Sequence, residues 1–276
     1  MGLYFMRAKL TLALILLVGA SIPAIAAQPH RVASLNLCVD QILLEFLPKD
    51  RIALLSQLAN DKGLSHQALR TVSIPRFDGS VESIIRLDPD LVLGGQFTAT
   101  NTVRALRRLG YEVQLFNMPE TLQGAQQFVL DIAQKVGVAP AAQRKIAAMN
   151  VQLNDLQSAP ATARPKALIY LPNGLTVGSD TLKGELVERA GMINLATKSG
   201  INGYGEIPLE TVVQLQPDVL LFDSAELDLP SMAQKMLNHP ALQRLHMKSV
   251  AISTSSWICP GTMNVDAINQ LIMAAR

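Results

Sequence analysis

Twelve side chains could carry chemistry in this sequence, among them two glutamates at matched positions and two cysteines. Glu82 and Glu210 occupy matched positions in two stretches that share a pattern, Gly79-Ser-Val-Glu-Ser-Ile-Ile-Arg-Leu-Asp-Pro-Asp-Leu-Val-Leu93 and Ile207-Pro-Leu-Glu-Thr-Val-Val-Gln-Leu-Gln-Pro-Asp-Val-Leu-Leu221. An acid in the first turn of a short helix complements the helix dipole, worth about 0.3–1 kcal/mol, and needs no further role. Two cysteines, Cys38 and Cys259, lie far apart in the chain. They could form a disulfide in an oxidising compartment, hold a soft metal, or be two small buried thiols. The four histidines (His30, His66, His239, His246) show no ligand spacing, so no protein-held metal is expected. No G-x-S-x-G, P-loop or G-x-G-x-x-G follows a strand, and Gly200-Ile-Asn-Gly-Tyr-Gly205 has the wrong glycine spacing. The reading is a protein that is not an enzyme and has no cofactor of its own. A periplasmic α/β enzyme is the rival class.

The two matched stretches lie a constant 128 residues apart, with Glu82 on Glu210, Pro89 on Pro217 and Asp90 on Asp218. Each reads as a short helix, a Pro-Asp stop, and an apolar run that forms a buried parallel strand. Repetition in register predicts two similar α/β lobes. The N-terminal lobe reads as strands at Arg31–Leu35, Ile52–Leu55, Leu91–Leu93 and Glu112–Phe116, alternating with helices at Val39–Leu47 and Thr100–Leu109; residues Asn60 to Ser73 form a polar surface segment. A helix follows over Thr121–Val136. Another runs from Pro140 to about Ser158, with Ile146, Met149, Leu153 and Leu156 on one stripe, and is expected to bridge the lobes as a strut. The second lobe reads as strands at Lys166–Leu171, Val219–Leu221 and Ser249–Ser253. Its helices are Leu182–Ala190, Met232–Leu237, His239–Leu245 and Val265–Ala275, with flexible loops at Gly200–Gly205 and Trp257–Gly261.

Composition agrees with a globular, exported chain. Apolar residues make up 49% and charged residues 17% of 276, enough for a sizeable core. Arg7 and Lys9, the apolar run Leu10–Ala20, and Pro23-Ala-Ile-Ala26 read as a signal peptide cleaved after Ala26 or Ala27. The apolar run is shorter than the roughly 20 residues a membrane span needs. Losing Arg7 and Lys9 takes the 24 basic residues to 22, against 22 acidic, and no basic patch suggests nucleic acid. The expected division is a signal peptide over 1–26, an N-terminal lobe over 27–138, a connecting helix over 139–160 and a C-terminal lobe over 161–276.

Five motifs together resemble the periplasmic substrate-binding proteins of ABC importers for ferric siderophores, cobalamin and haem. They are Arg31-Val-Ala-Ser-Leu-Asn36, the first repeat, Leu109-Gly-Tyr-Glu-Val113, Leu186-Val-Glu-Arg-Ala-Gly-Met-Ile-Asn194, and the second repeat. The resemblance covers residues 30–276. It implies two Rossmann-like lobes with mainly parallel sheets, joined by one long α-helix, that bind ligand between them as a monomer in the periplasm. It also implies that Glu82 and Glu210 dock on arginines of a membrane permease.

Ligand should then lie beyond the carboxyl ends of the strands. That topology nominates Asn36, Arg76, Gln96, Phe97, Tyr170, Asn173, Tyr204 and Trp257, of which Arg76, Tyr204 and Trp257 match family positions that face ligand. Phe97 and Tyr170 are expected partly in the core. Arg76 could grip an anionic siderophore bidentately, and Tyr170 or Tyr204 could serve as an axial ligand to haem. Cys38 and Cys259 fall one per lobe, where a disulfide would limit opening. Aromatic content is 4%, which weighs against a corrin-stacking cleft. Among the ligands the resemblance implies, ferric siderophore is expected first, cobalamin second and haem third.

Overall fold

A computed structural model describes residues 28–156, 164–226 and 239–276. The signal peptide, the Ala/Pro-rich residues 159–163 and the helix expected over Met232–Leu237 lie outside the described residues.

The N-terminal lobe runs β1 (Val32–Ser34), α1 (Leu37–Phe46), β2 (Ile52–Leu54), α2 (Val81–Ile85), β3 (Leu91–Gly95), α3 (Thr100–Arg108) and β4 (Val113–Phe116). Its sheet is parallel throughout, in the order β2-β1-β3-β4. The C-terminal lobe contains β5 (Lys166–Ile169), β6 (Leu175–Val177), α6 (Leu182–Arg189), β7 (Ile193–Asn194), α7 (Leu195–Lys198), β8 (Tyr204–Glu206), α8 (Leu209–Leu215) and β9 (Val219–Asp223). After these come α9 (Pro240–Gln243), β10 (Lys248–Ile252), α10 (Thr254–Trp257) and α11 (Asn264–Ala275). Its parallel sheet has the order β7-β5-β9-β10, the same topology with β5 in the place of β1 and β9 in that of β3.

The sequence repeat is a repeat of contacts. Asp90, just before β3, accepts from the backbone N–H of His30 at 2.6 Å and of Arg31 at 3.1 Å. Asp218, just before β9, accepts from the backbone N–H of Lys166 at 2.7 Å. Each acid thus pins the start of the central strand beside it. The residues before the two prolines, Asp88 and Gln216, both take left-handed backbone conformations, with φ of 43° and 48°. Pro disfavours right-handed helix at the preceding residue, and both copies solve the exit from the helix in this same uncommon way.

Two further helices tie the lobes. α4 (Leu122–Lys135) and α5 (Ala139–Asp155) follow β4. On α5, Ala142 and Ile146 pack into the core of the first lobe, and Met149 and Leu153 into that of the second. These four residues fall at i, i+4, i+7 and i+11, one apolar stripe shared by two cores. The helix of 17 residues is about 26 Å long and ends at Asp155, with Leu156 extended; the expected end near Ser158 lies outside the described residues. α4 is shared in the same way: Leu122 and Ala125 join the second core, Phe128 and Val129 the first.

Two expected loops are ordered elements. Within Gly200–Gly205, Tyr204 begins β8, which pairs antiparallel with β6. Glycines hid a strand there, because alternation of side chains is lost where Gly203 and Gly205 stand. Trp257 closes the short helix α10 instead of riding a loop. The polar segment after β2 contains two 3₁₀ turns, Gln57–Asn60 and Ala68–Thr71.

Candidate ligand-binding cleft

A cleft of about 340 Å³ opens between the lobes. From the first lobe it is lined by Cys38, Phe97, Met118, Pro119 and Glu120, which follow β1, β3 and β4. From the second it is lined by Leu182 and Lys183 of α6, Tyr204, and Trp257, Ile258 and Pro260 beyond β10. The carboxyl ends of parallel strands around a switch in strand order are where open α/β sheets place ligands. A larger hollow of about 610 Å³ lies beside the edge strand β4, within a single lobe.

Aromatic side chains stand on both walls. Phe97 is 86% exposed and Tyr204 73%. Phe97 was expected partly in the core. It sits instead in the turn beyond Gly94-Gly95, where the strand has ended and no second layer covers it. Partial shielding of its ring end by the cleft walls, then the negative charge of Glu120, hold the Tyr204 hydroxyl above the usual tyrosine range.

The floor is built on Asp223, the last residue of β9. Lys183 Nζ reaches both its carboxylate oxygens, at 2.8 and 2.7 Å, and Trp257 Nε1 donates to Oδ1 at 2.5 Å. The Lys183 ammonium also lies 4.6 Å from the centre of the Trp257 ring, a cation–π contact. Trp257 itself is 1% exposed, so it is a wall of the cleft and a core residue at once. α6 carries Lys183 to this point because glycines allow a close approach. A Cβ on Gly184 would stand 1.9 Å from the Gly178 carbonyl oxygen.

The first wall is stiffened at β1 and β3. Asn36 caps α1, its Oδ1 accepting from the N–H of Cys38 at 2.8 Å and of Val39 at 3.3 Å. Its amide lies against Gly95, where a Cβ would approach to 2.7 Å. Beside it, Cys38 is disulfide-bonded to Cys259, joining the lobes at the edge of the cleft. Leu37, Leu64 and Met263 pack around this bond.

The eight nominated ligand residues therefore separate. Phe97, Tyr204 and Trp257 meet at the cleft. Asn36 is spent on the helix cap, and Gln96 is exposed next to Phe97 but outside the cavity lining. Arg76 is exposed where residues 75–77 extend the sheet beside Leu55, beyond the edge strand β2, and makes no hydrogen bond or ion pair with the described residues. Asn173 is exposed in a left-handed turn. Tyr170 is 2% exposed and packs with Leu168, Ile207 and Val212, and its hydroxyl has no partner among the described residues. Burial first, and the Glu210 charge second, raise its pKa. Glu82 and Glu210 are exposed in the first turns of α2 and α8, away from the cleft lining.

Sequence reasoning passed over Met118, Glu120, Lys183 and Asp223. Lys183 carried a signal. A cation in the first turn of a helix opposes the dipole and asks for a local partner, which Asp223 supplies. Among the described residues no three His, Cys, Asp or Glu side chains gather as a metal site.

The periplasmic binding protein family is matched over residues 32–247. The chain belongs to the periplasmic binding protein family. Its members are solute-binding proteins, not enzymes. A periplasmic location follows from membership, and no described helix is long and apolar enough to cross a membrane. A cobalamin-binding protein of Halobacterium salinarum is 29% identical over 199 residues, covering 71% of this chain and 54% of the relative. The chain thus spans about half the length of the curated relatives it matches. The apo structure of the periplasmic heme-binding protein RhuT from Roseiflexus sp. RS-1 superposes with a TM-score of 0.75 at 23% identity, over 90% of this chain and 99% of that one. The periplasmic vitamin B12 binding protein BtuF of Vibrio cholerae gives 0.63 at 16% identity, over 90% and 97%. At these identities the structures establish the shared fold.

Proposed function

We propose that the protein captures cobalamin or a related corrinoid between its lobes and hands it to the permease of an ABC importer after export with cleavage near Ala26. The observation that carries this reading is the pair of exposed aromatic side chains, Phe97 and Tyr204, on facing walls of the cleft. A flat, largely apolar macrocycle with polar edges is held by such surfaces. The 29% identity to a cobalamin-binding protein supports the same class.

Electrostatics weigh against a ferric siderophore, the ligand first expected from the resemblance. An anionic chelate calls for free cations. The cation lining the cleft, Lys183, is already paired with Asp223, Glu120 adds a negative charge opposite, and Arg76 stands outside. Low aromatic content misleads because position decides: three of the chain's few aromatic residues line one cavity. Haem is the second reading, favoured by the likeness to RhuT and by Tyr204 in the cleft. Iron or cobalt would arrive inside the ligand and needs no site of its own. Glu82 and Glu210 would carry the docking.

The test is a titration of the mature protein with cyanocobalamin, haemin and a ferric siderophore. It is read by the emission of Trp257, the only Trp, with an inner-filter control, and by calorimetry. One-to-one binding of cyanocobalamin at micromolar or lower concentration is expected. Saturable binding of the siderophore alone would reject the corrinoid reading.

A further inference from the structure

We propose that Lys183, Asp223 and Trp257 act together as a selector, making the cleft prefer ligands that present an uncharged hydrogen-bond acceptor over ligands that present a carboxylate at the same place. The inference deepens the corrinoid reading and rests on it.

Asp223 stands at the end of β9, where the repeat puts Gly95 at the end of β3. The first lobe thus ends this strand without a side chain, and the second ends it with a carboxylate that is 8% exposed. Both oxygens of that carboxylate are engaged, accepting twice from Lys183 and once from the Trp257 indole. Lys183 lines the cavity and Asp223 lies behind it. What the cleft shows to a ligand is therefore an ammonium whose charge is already balanced, resting on an aromatic ring.

An ammonium has three N–H donors. The two oxygens of Asp223 lie close enough together to share one of them, and even with a second turned to the Trp257 ring a donor remains for a ligand. A carboxamide carbonyl can accept it and brings no charge. A carboxylate placed there would meet no uncompensated cation, would have the carboxylate of Asp223 just behind Lys183, and would have Glu120 on the opposite wall. Burying a charge without a counter-charge is costly, while a single neutral hydrogen bond is not. Specificity of this kind works by penalising the competitor. The corrin rim carries carboxamides, whereas the porphyrin of haem carries propionates, so the selector also separates the two leading ligand classes.

The experiment compares ligands that differ only in this group. Calorimetry would give Kd for cyanocobalamin and for its separated monocarboxylate isomers, each with one propionamide hydrolysed, and for haemin against its dimethyl ester. The proteins are the unaltered chain, Asp223→Asn, and the double variant Lys183→Met with Asp223→Asn. In the unaltered chain the amide or ester should bind roughly tenfold or more tighter than the acid for at least one isomer. Asp223→Asn leaves Lys183 without its partner, and the ratio should shrink or invert by a similar factor. The double variant removes the cation too and should restore the preference for the neutral ligand, which separates charge from packing. Thermal melts establish that each variant is folded. If Asp223→Asn weakens both members of a pair equally, or leaves the ratio unchanged, the triad is structural and the selector is wrong while the ligand reading stands. If the unaltered chain binds no corrinoid and no porphyrin, the ligand reading fails and the selector falls with it.

Discussion

Cys38 and Cys259, 221 residues apart in the chain, are joined by a disulfide with their Cα atoms 5.1 Å apart, one from each lobe. The bond closes nearly the whole described chain into a loop, which removes conformational freedom from the unfolded state. Native disulfides of this kind contribute roughly 2–5 kcal/mol. Replacing both residues by Ser should lower Tm by on the order of 10 °C for a chain of this size. The same variant should release ligand faster, since among the described residues α4, α5 and side-chain contacts such as that of Glu45 with Thr262 would then hold the lobes together. Stopped-flow dissociation checks the second point. An unchanged rate would mean that the two helices alone fix the lobe spacing.

A second consequence concerns pH. Asp40 on α1 is completely buried, and burial pushes its pKa up to about 7 although Ser34 and Ser56 hydrogen bonds work to lower it. In the unfolded chain its carboxyl titrates near 3.8. Between those values the folded state holds the proton more tightly, so this group's contribution is full below about pH 4 and is lost as pH rises through about 7. The difference amounts to a few kcal/mol in order of magnitude. Asp40→Asn should therefore flatten the stability profile between pH 4 and 7 and gain most, relative to the unaltered chain, above pH 7. Urea midpoints at pH 5 and 8 measure it. A constant offset between the two proteins would assign the slope to other groups.

Packing gives a sharper test. A Cβ on Gly178 would lie 1.9 Å from the Ile201 carbonyl oxygen and 2.5 Å from that of Asn202, both backbone atoms. The same strand edge receives the Thr181 cap and the start of α6, which carries Lys183 into the cleft. Gly178→Ala should cost about 3 kcal/mol or more, the upper range for forced overpacking. It should weaken ligand binding as well, because Lys183 moves with the helix. Gly203→Ala in the neighbouring loop meets nothing within 4 Å and serves as the control. Equal stability of the two variants would contradict this account of the α6 anchor.

Much of the fold was legible because the repeat doubles every signal. Pro89 and Pro217, the apolar runs after them, and the aspartates between fix β3 and β9 in both lobes. The stripe Ile146, Met149, Leu153 marks α5, whose two ends meet two cores. The site was less legible for a physical reason. Position just after a strand locates Phe97 and Trp257 correctly in the chain, but it does not say which way a side chain leaves the sheet. Tyr170 leaves β5 into a core and Phe97 leaves β3 into solvent. Asp223 was hidden because it ends an apolar run whose pattern spoke only of burial, and its partner Lys183 lies 40 residues away.

Glu82 and Glu210 each occupy the second position of a short helix, α2 and α8, and both are exposed. Neither makes an ion pair with a described residue, and neither lines the cleft. Their local role as dipole partners is worth about 0.3–1 kcal/mol each and leaves both exposed carboxylates open to a partner. A membrane partner with a positive surface facing both lobes would use them as two anchors. Reversing both to Arg should lower Tm by only a few degrees and leave the Kd for ligand within about twofold, while abolishing uptake in a cell that depends on this protein. Single reversals should fall between, since one anchor remains. Uptake at the normal rate by the double variant would reduce both residues to helix caps, and loss of ligand binding in it would place the fault in the fold and not in docking.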